Sequence, residues 1–214
     1  MGTRNLTVVI HKNKIKLSQY GQWDGYFSCT GVKFLEFVKD NLQGEDNQRR
    51  KEEFIDNLKH IKDIDEQNFD RLIAIAKQLS GSIDNKTKYA IPFNLLFPAL
   101  SRDTGVEILN IIKDLPTYEL GSKKFPINIC LDSGWCEFIN VINLDKNEIY
   151  MLTSHEFKGK KLSTCSLVEE TYDMPCWYKS KIAEIPSIED IKKHKEAIGL
   201  DYWQREETGE WISN

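Results

Sequence analysis

Strand-forming segments cluster at the two ends of this 214-residue chain, and helix-forming segments fill the stretch between. Residues 4–11 (RNLTVVIH) are β-branched and apolar, and residues 15–20 alternate beyond a tight turn at Lys12-Asn13-Lys14. That pattern predicts a β-hairpin. Residues 136–144 (CEFINVINL) and 148–153 (EIYMLT) predict a second one around Asp145-Lys146-Asn147. Weaker strands are expected at 162–168 and 178–185. Strands gathered at both ends lack the β-α alternation of a doubly wound parallel sheet. The expected fold is therefore α+β. A single domain over residues 1–200 would carry one mixed or antiparallel sheet, built from both hairpins and covered on one face by the central helices.

The helices are read from apolar stripes and caps. Phe34, Leu35, Val38 and Leu42 share a face behind Thr30, a candidate N-cap. Residues 45–62 are highly charged with a stripe of Phe54, Ile55, Leu58 and Ile61, which predicts an amphipathic helix. Asp65 caps the next, with Gly81 at its end. Residues 44–81 thus read as a helical insertion. Ser101 would cap a helix carrying Val106, Leu109 and Ile112, and Ser187 a final one reaching Ile198. Residues 201–214, with Trp203 and Trp211, form a C-terminal tail.

Composition narrows the partners. A net charge of −4 argues against bulk nucleic acid, which requires a field of Lys and Arg. No apolar run approaches the ~18 residues of a membrane span. The N-terminus has no signal-peptide h-region, so a cytoplasmic location is expected. Five cysteines with no C-x-x-C spacing are expected to be reduced core residues. Four scattered histidines form no metal motif, and neither metal nor cofactor is expected.

No G-x-S-x-G, P-loop or G-x-G-x-x-G is present. Three polar-aromatic clusters at element boundaries remain, where functional groups tend to sit. The first joins Arg4 to Gln22-Trp23-Asp24-Gly25-Tyr26, because a hairpin brings the start of one strand to the end of its partner. Arg4 would hold a phosphate or carboxylate, Trp23 and Tyr26 would stack, and Gln22 and Asp24 would read polar edges. The second is Ser101-Arg102-Asp103-Thr104-Gly105, where a helix N-terminus beside Arg102 would favour an anion. The third is Asp132-Ser133-Gly134-Trp135-Cys136-Glu137. Strand alternation places Cys136 and Glu137 on opposite faces, and Cys136 has no identifiable histidine partner as a nucleophile.

The leading expectation is a non-enzymatic binder of a small anionic, nucleotide-derived ligand held by Arg4 and Arg102. One alternative is a hydrolase using carboxylates of Asp24, Asp103 or Glu137 as acid and base. Another is a protein-binding inhibitor of a host enzyme, presenting Trp203, Trp211 and the charged helix. A homo-oligomer is compatible with each.

The same clusters carry a resemblance. Met1-Gly2-Thr3-Arg4, Gln19-Tyr20-Gly21-Gln22-Trp23-Asp24-Gly25-Tyr26, Leu100-Ser101-Arg102-Asp103-Thr104-Gly105 and the run from Cys136 to Asp145 occur in that order. They resemble M-[GS]-T-R, Q-Y-G-Q-W-D-G-Y-P, L-S-R-D-T-G and C-E-W-A-Y-V-I-D-L-D of a family of uncharacterised phage, bacterial and fungal proteins. Phe27 stands for the family's Pro, Phe138 for a Trp and Asn143 for an Asp. The likeness implies a phage or bacterial origin, hence a host-cytoplasmic location if phage-encoded, but no activity. By analogy with small acidic phage proteins, it admits an anti-defence sponge that sequesters a nucleotide signal. The first hairpin, ending in its W-D-G loop, also resembles that of Ntn hydrolases, which implies an αββα fold. Removing Met1 leaves Gly2, which supplies no nucleophile for their usual mechanism.

Overall fold

The computed structural model describes residues 3–80, 97–115, 120–122, 136–153, 163–165 and 174–197. In chain order the elements begin with β1 (Asn5–His11), β2 (Lys14–Gly21), α1 (Val32–Asn41), α2 (Gln48–Asn57), β3 (Ile61–Asp63) and α3 (Glu66–Ser80). They continue with α4 (Ile108–Lys113), β4 (Leu120–Ser122), β5 (Phe138–Asn143), β6 (Glu148–Thr153), β7 (Ser163–Cys165), β8 (Met174–Lys181) and α5 (Ile188–Ala197). The large sheet runs β2-β1-β5-β6-β8-β7. Every neighbouring pair is antiparallel except β1 and β5, which run parallel. The two hairpins are thus joined edge to edge into one mixed sheet, and the fold is α+β.

The turns explain the hairpins. Lys12 and Asn13 both take left-handed backbone conformations, φ 55° and 53°. That pair matches the right-handed twist of the strands it connects. The carboxylate of Asp145, in the turn of the other hairpin, accepts the Lys12 and Asn13 N–H groups at 2.7 and 2.8 Å. Asn143 accepts the Lys146 N–H at 3.0 Å, closing its own turn with a side-chain bond.

One face of the sheet packs on helices. Val9, Leu17, Ile142, Ile149, Met151 and Trp177 share a core with residues of α1, α2, α4 and α5. The opposite face, with Leu6, Val8, Ile139, Val141 and Leu152, is also buried. Side chains alternate across the strands, so both sets arise from one sequence pattern.

Several expectations change. Residues 45–62 are not one helix: α2 ends at Asn57, and Ile61 turns extended to pair β3 in parallel with β4. Tertiary strand pairing overrides the helical stripe there. The hydroxyl of Thr30 does not cap α1. A single π-helical turn, Phe27–Gly31, precedes that helix, and Thr30 donates to the Asp24 carbonyl. Ser101 accepts the Asp103 N–H at 3.1 Å in a local turn instead of capping a helix. Gly105 then takes φ 48°, and α4 begins only at Ile108. Asp65 and Ser187 do act as caps, accepting the Asn68 and Asp190 N–H groups at 2.8 and 3.1 Å. Cys136 is disulfide-bonded, contrary to the expectation of reduced thiols, while Cys29 and Cys176 keep their thiols. Gly81, Asp132 and the tail with Trp203 and Trp211 lie outside the described residues.

Candidate functional site

The site is built on the N-terminal end of β1. Registers of Asn5 with Gly21 and with Phe138, extended by one residue, put Arg4 between Gln22 and Glu137. Main-chain bonds hold that row. The Arg4 carbonyl accepts the Glu137 and Phe138 N–H groups at 3.1 and 3.3 Å. In return the Glu137 carboxylate accepts the Arg4 N–H. Gly25 donates to the Thr3 carbonyl at 3.0 Å, and a Cβ there would meet the Thr3 and Arg4 carbonyl oxygens at 3.0 Å. Only glycine allows the loop to lie so close to β1.

The second cluster is sutured to the first. The Gln22 N–H donates to the Arg102 carbonyl at 2.8 Å. The Trp23 indole N–H donates to Asp103 at 3.0 Å, which fixes the plane of a ring that is 52% exposed. Tyr20 lies in the apolar cluster of the outer face, and its hydroxyl donates to Gln22 Oε1 at 2.9 Å. Burial pushes the Tyr20 phenol above its ordinary pKa, Arg4 and Arg102 oppose that rise, and Glu137 adds to it. One buried phenol therefore feels both guanidinium groups and the carboxylate. The first two clusters and Glu137 of the third meet at the strand ends around Arg4.

Two expected residues play other parts. Tyr26 is half-buried, its ring 6.4 Å from that of Phe138, so Trp23 offers the more open face. Asp24 takes φ 53°, and its carbonyl receives both the N–H and the hydroxyl of Thr30. Its carboxylate lies near Lys33, whose pKa is raised by hydrogen-bonded Glu107 first and by Asp24 in smaller measure. Asp24, Asp103 and Glu137 thus face different partners. The helix-terminus argument for an anion at Arg102 does not apply, because α4 is short and starts beyond Gly105. Among the described residues, no group of three His, Cys, Asp or Glu side chains could hold a metal ion. Among the described residues, no helix is long and apolar enough to cross a membrane.

Gln19 and Tyr20 head the resembled Gln19–Tyr26 motif and Asn5 follows Arg4, but the sequence assigned none of the three a role. Asn5 donates to the Trp23 carbonyl at 3.2 Å, and Gln19 donates to the Ser101 carbonyl at 2.9 Å. The available signal was positional: both are polar residues on the strand face that elsewhere carries Val9 and Leu17.

No family model, curated protein or solved structure matches the chain.

Proposed function

We propose that this rim binds a small anionic, nucleotide-derived ligand and holds it without cleaving it. The observation that carries the reading is the shared field of Arg4 and Arg102 at Tyr20, beside an indole fixed by Asp103. Two guanidinium groups supply forked donors for phosphate oxygens. The exposed Trp23 face offers stacking worth roughly 1–3 kcal/mol per base. Gln22 stands between them with an amide for a polar edge. Hydrolysis finds less support, because the Asp103 and Glu137 carboxylates are taken up by the Trp23 indole and the Arg4 main chain. A binder of this kind would act by sequestering its ligand, as an anti-defence sponge does.

The test incubates the protein with mono- and dinucleotides, denatures it and chromatographs what is released. Intact ligand is expected, and cleavage products would overturn the non-enzymatic reading. Losing one charge-assisted contact removes ~1.5–3 kcal/mol, so Arg102→Ala should weaken affinity by about tenfold or more. Unchanged affinity in that variant would remove Arg102 from the site.

A further inference from the structure

Across β2, β1 and β5, Gln19, Thr7 and Asn140 stand directly opposite one another. They lie two positions from Leu17, Val9 and Ile142, hence on the helix-facing side of the sheet. Asn5 follows Thr7 on that face. All four side chains are at least nine-tenths buried: Asn5 1%, Thr7 0%, Gln19 1% and Asn140 3% exposed. Each nevertheless carries a sealed polar atom with no hydrogen-bond partner among the described residues: Asn5 Oδ1, Thr7 Oγ1, Gln19 Oε1 and Asn140 Nδ2. Buried polar atoms are nearly always paired, and a row of four demands an explanation. A strand serving stability alone would carry Val or Ile there.

The orientation of two of these amides is determined. Asn5 spends its NH2 on the Trp23 and Gly21 carbonyls, at 3.2 and 3.5 Å. Gln19 spends its own on the Ser101 and Tyr20 carbonyls, at 2.9 and 3.1 Å. Both amide oxygens are therefore genuine vacant acceptors, and no charged side chain belongs to the row. The segment from Ser101 to Gly105 lies over them. A Cβ added at Gly105 would sit 3.8 Å from Asn5 Oδ1 and 3.7 Å from Gly21 Cα. That segment is tied down by the Gln19 bond to Ser101 and the Gln22 bond to Arg102.

We infer that this row is the floor of a second, uncharged subsite on the helix-facing side of the sheet, across the strands from Tyr20, Gln22 and Arg4, and that Ser101–Gly105, which reaches round the strand ends to Gln22, is its lid. The floor takes an uncharged planar group with neighbouring N–H donors and a carbonyl acceptor, the pattern of a guanine edge. Two adjacent N–H groups meet Asn5 Oδ1 and Gln19 Oε1, and the carbonyl meets Thr7 or Asn140. Arg102 rides on the lid, so it stays with the anionic end of the same ligand. The inference rests on the rim reading for that anionic end alone, and the two are separable by probe.

The experiment measures binding of inorganic pyrophosphate, guanosine and uridine to the full chain by calorimetry and thermal shift. Guanosine is expected to raise Tm, while uridine, with one donor between two acceptors, is not. Thr7→Val replaces the hydroxyl by a methyl of the same shape. It should raise the Tm of the unliganded protein by about 2–4 °C, because it removes an unpaired buried group. It should also weaken guanosine about tenfold and leave pyrophosphate unchanged. Arg102→Ala should do the reverse to the two probes. Hydrogen exchange at the Gln22 N–H should speed up in the guanosine complex as the lid lifts. Overturning results are no guanosine binding, as when water alone fills the floor, equal binding of uridine, or guanosine affinity untouched by Thr7→Val. Unchanged protection at Gln22 would refute the lid. Failure of pyrophosphate alone sinks the rim and spares the floor.

Discussion

Glu148 offers a quantitative test of the electrostatics in the sheet. Its carboxylate, 9% exposed, accepts from the Tyr150 hydroxyl at 2.5 Å and meets Lys181 at 2.7 Å and Lys179 at 3.3 Å. Burial pushes its pKa up, but hydrogen bonds from Lys181, Tyr150 and Lys179 outweigh burial and bring it from 4.5 to about 2. A folded pKa below the unfolded one adds stability that is fully present above the unfolded value. That stability is lost as pH falls through the folded value. The full shift corresponds to ~3.4 kcal/mol at 1.36 kcal/mol per unit. Both lysines are half exposed and screened by solvent, so about 2 kcal/mol is the expected share at pH 7. Linkage leaves ~40% of it at pH 3. Glu148→Gln should therefore lower Tm by about 4–8 °C at pH 7 for a chain of this size, with the gap to wild type less than half as large at pH 3. Thermal melts of both proteins across pH 2–7 read this directly. A gap that stays constant over that range would show that shape, not charge, makes Glu148 matter, and the reasoning would fail.

Three further predictions concern the backbone near the site and the opposite turn. Gly25→Ala drives a methyl to 3.0 Å from two carbonyl oxygens, so the loop must shift, costing ~1–3 kcal/mol in calorimetry; an unchanged Tm would contradict the close approach. Asp145→Ala strips the acceptors from the Lys12 and Asn13 N–H groups and should cost ~1–2 kcal/mol in urea unfolding at pH 7. Asn143→Asp keeps the turn acceptor but sets a buried carboxylate directly opposite Glu148, and should cost ~1–3 kcal/mol in the same assay.

The hairpins were legible because alternation and turn chemistry are local. Lys12-Asn13 and the Asn143 side-chain bond need no distant partner to form. Asp65 and Ser187 were readable as caps for the same reason. Ser101 misled because a serine before Asp103 suits either a cap or a local turn, and Gly105 decides between them by a dihedral angle that sequence does not display. The strand β3 was hidden because Ile61 continues the helical stripe of α2, and only its pairing with Leu120 pulls it extended. At the site, proximity of Arg4 to Gln22 followed from hairpin geometry. The suture to Arg102 depends on where the loop before α4 lands, and the placing of Glu137 on the β1–β5 junction, which nothing in either strand announces. Thr7, Gln19 and Asn140 looked like ordinary strand residues until the sheet aligned them in one row.

That junction also governs how the molecule is made. Contacts between β1 and the region of β5 span 133 positions, from Arg4 to Glu137. At a synthesis rate of about 5–20 residues per second, the first hairpin, complete at Gly21, waits ~6–23 s on the ribosome before its neighbour emerges. Throughout that interval the VVI edge of β1 stands open, a template for intermolecular pairing. Yield in a cell will therefore depend on nascent-chain chaperones and translation speed as much as on the stability of the finished protein.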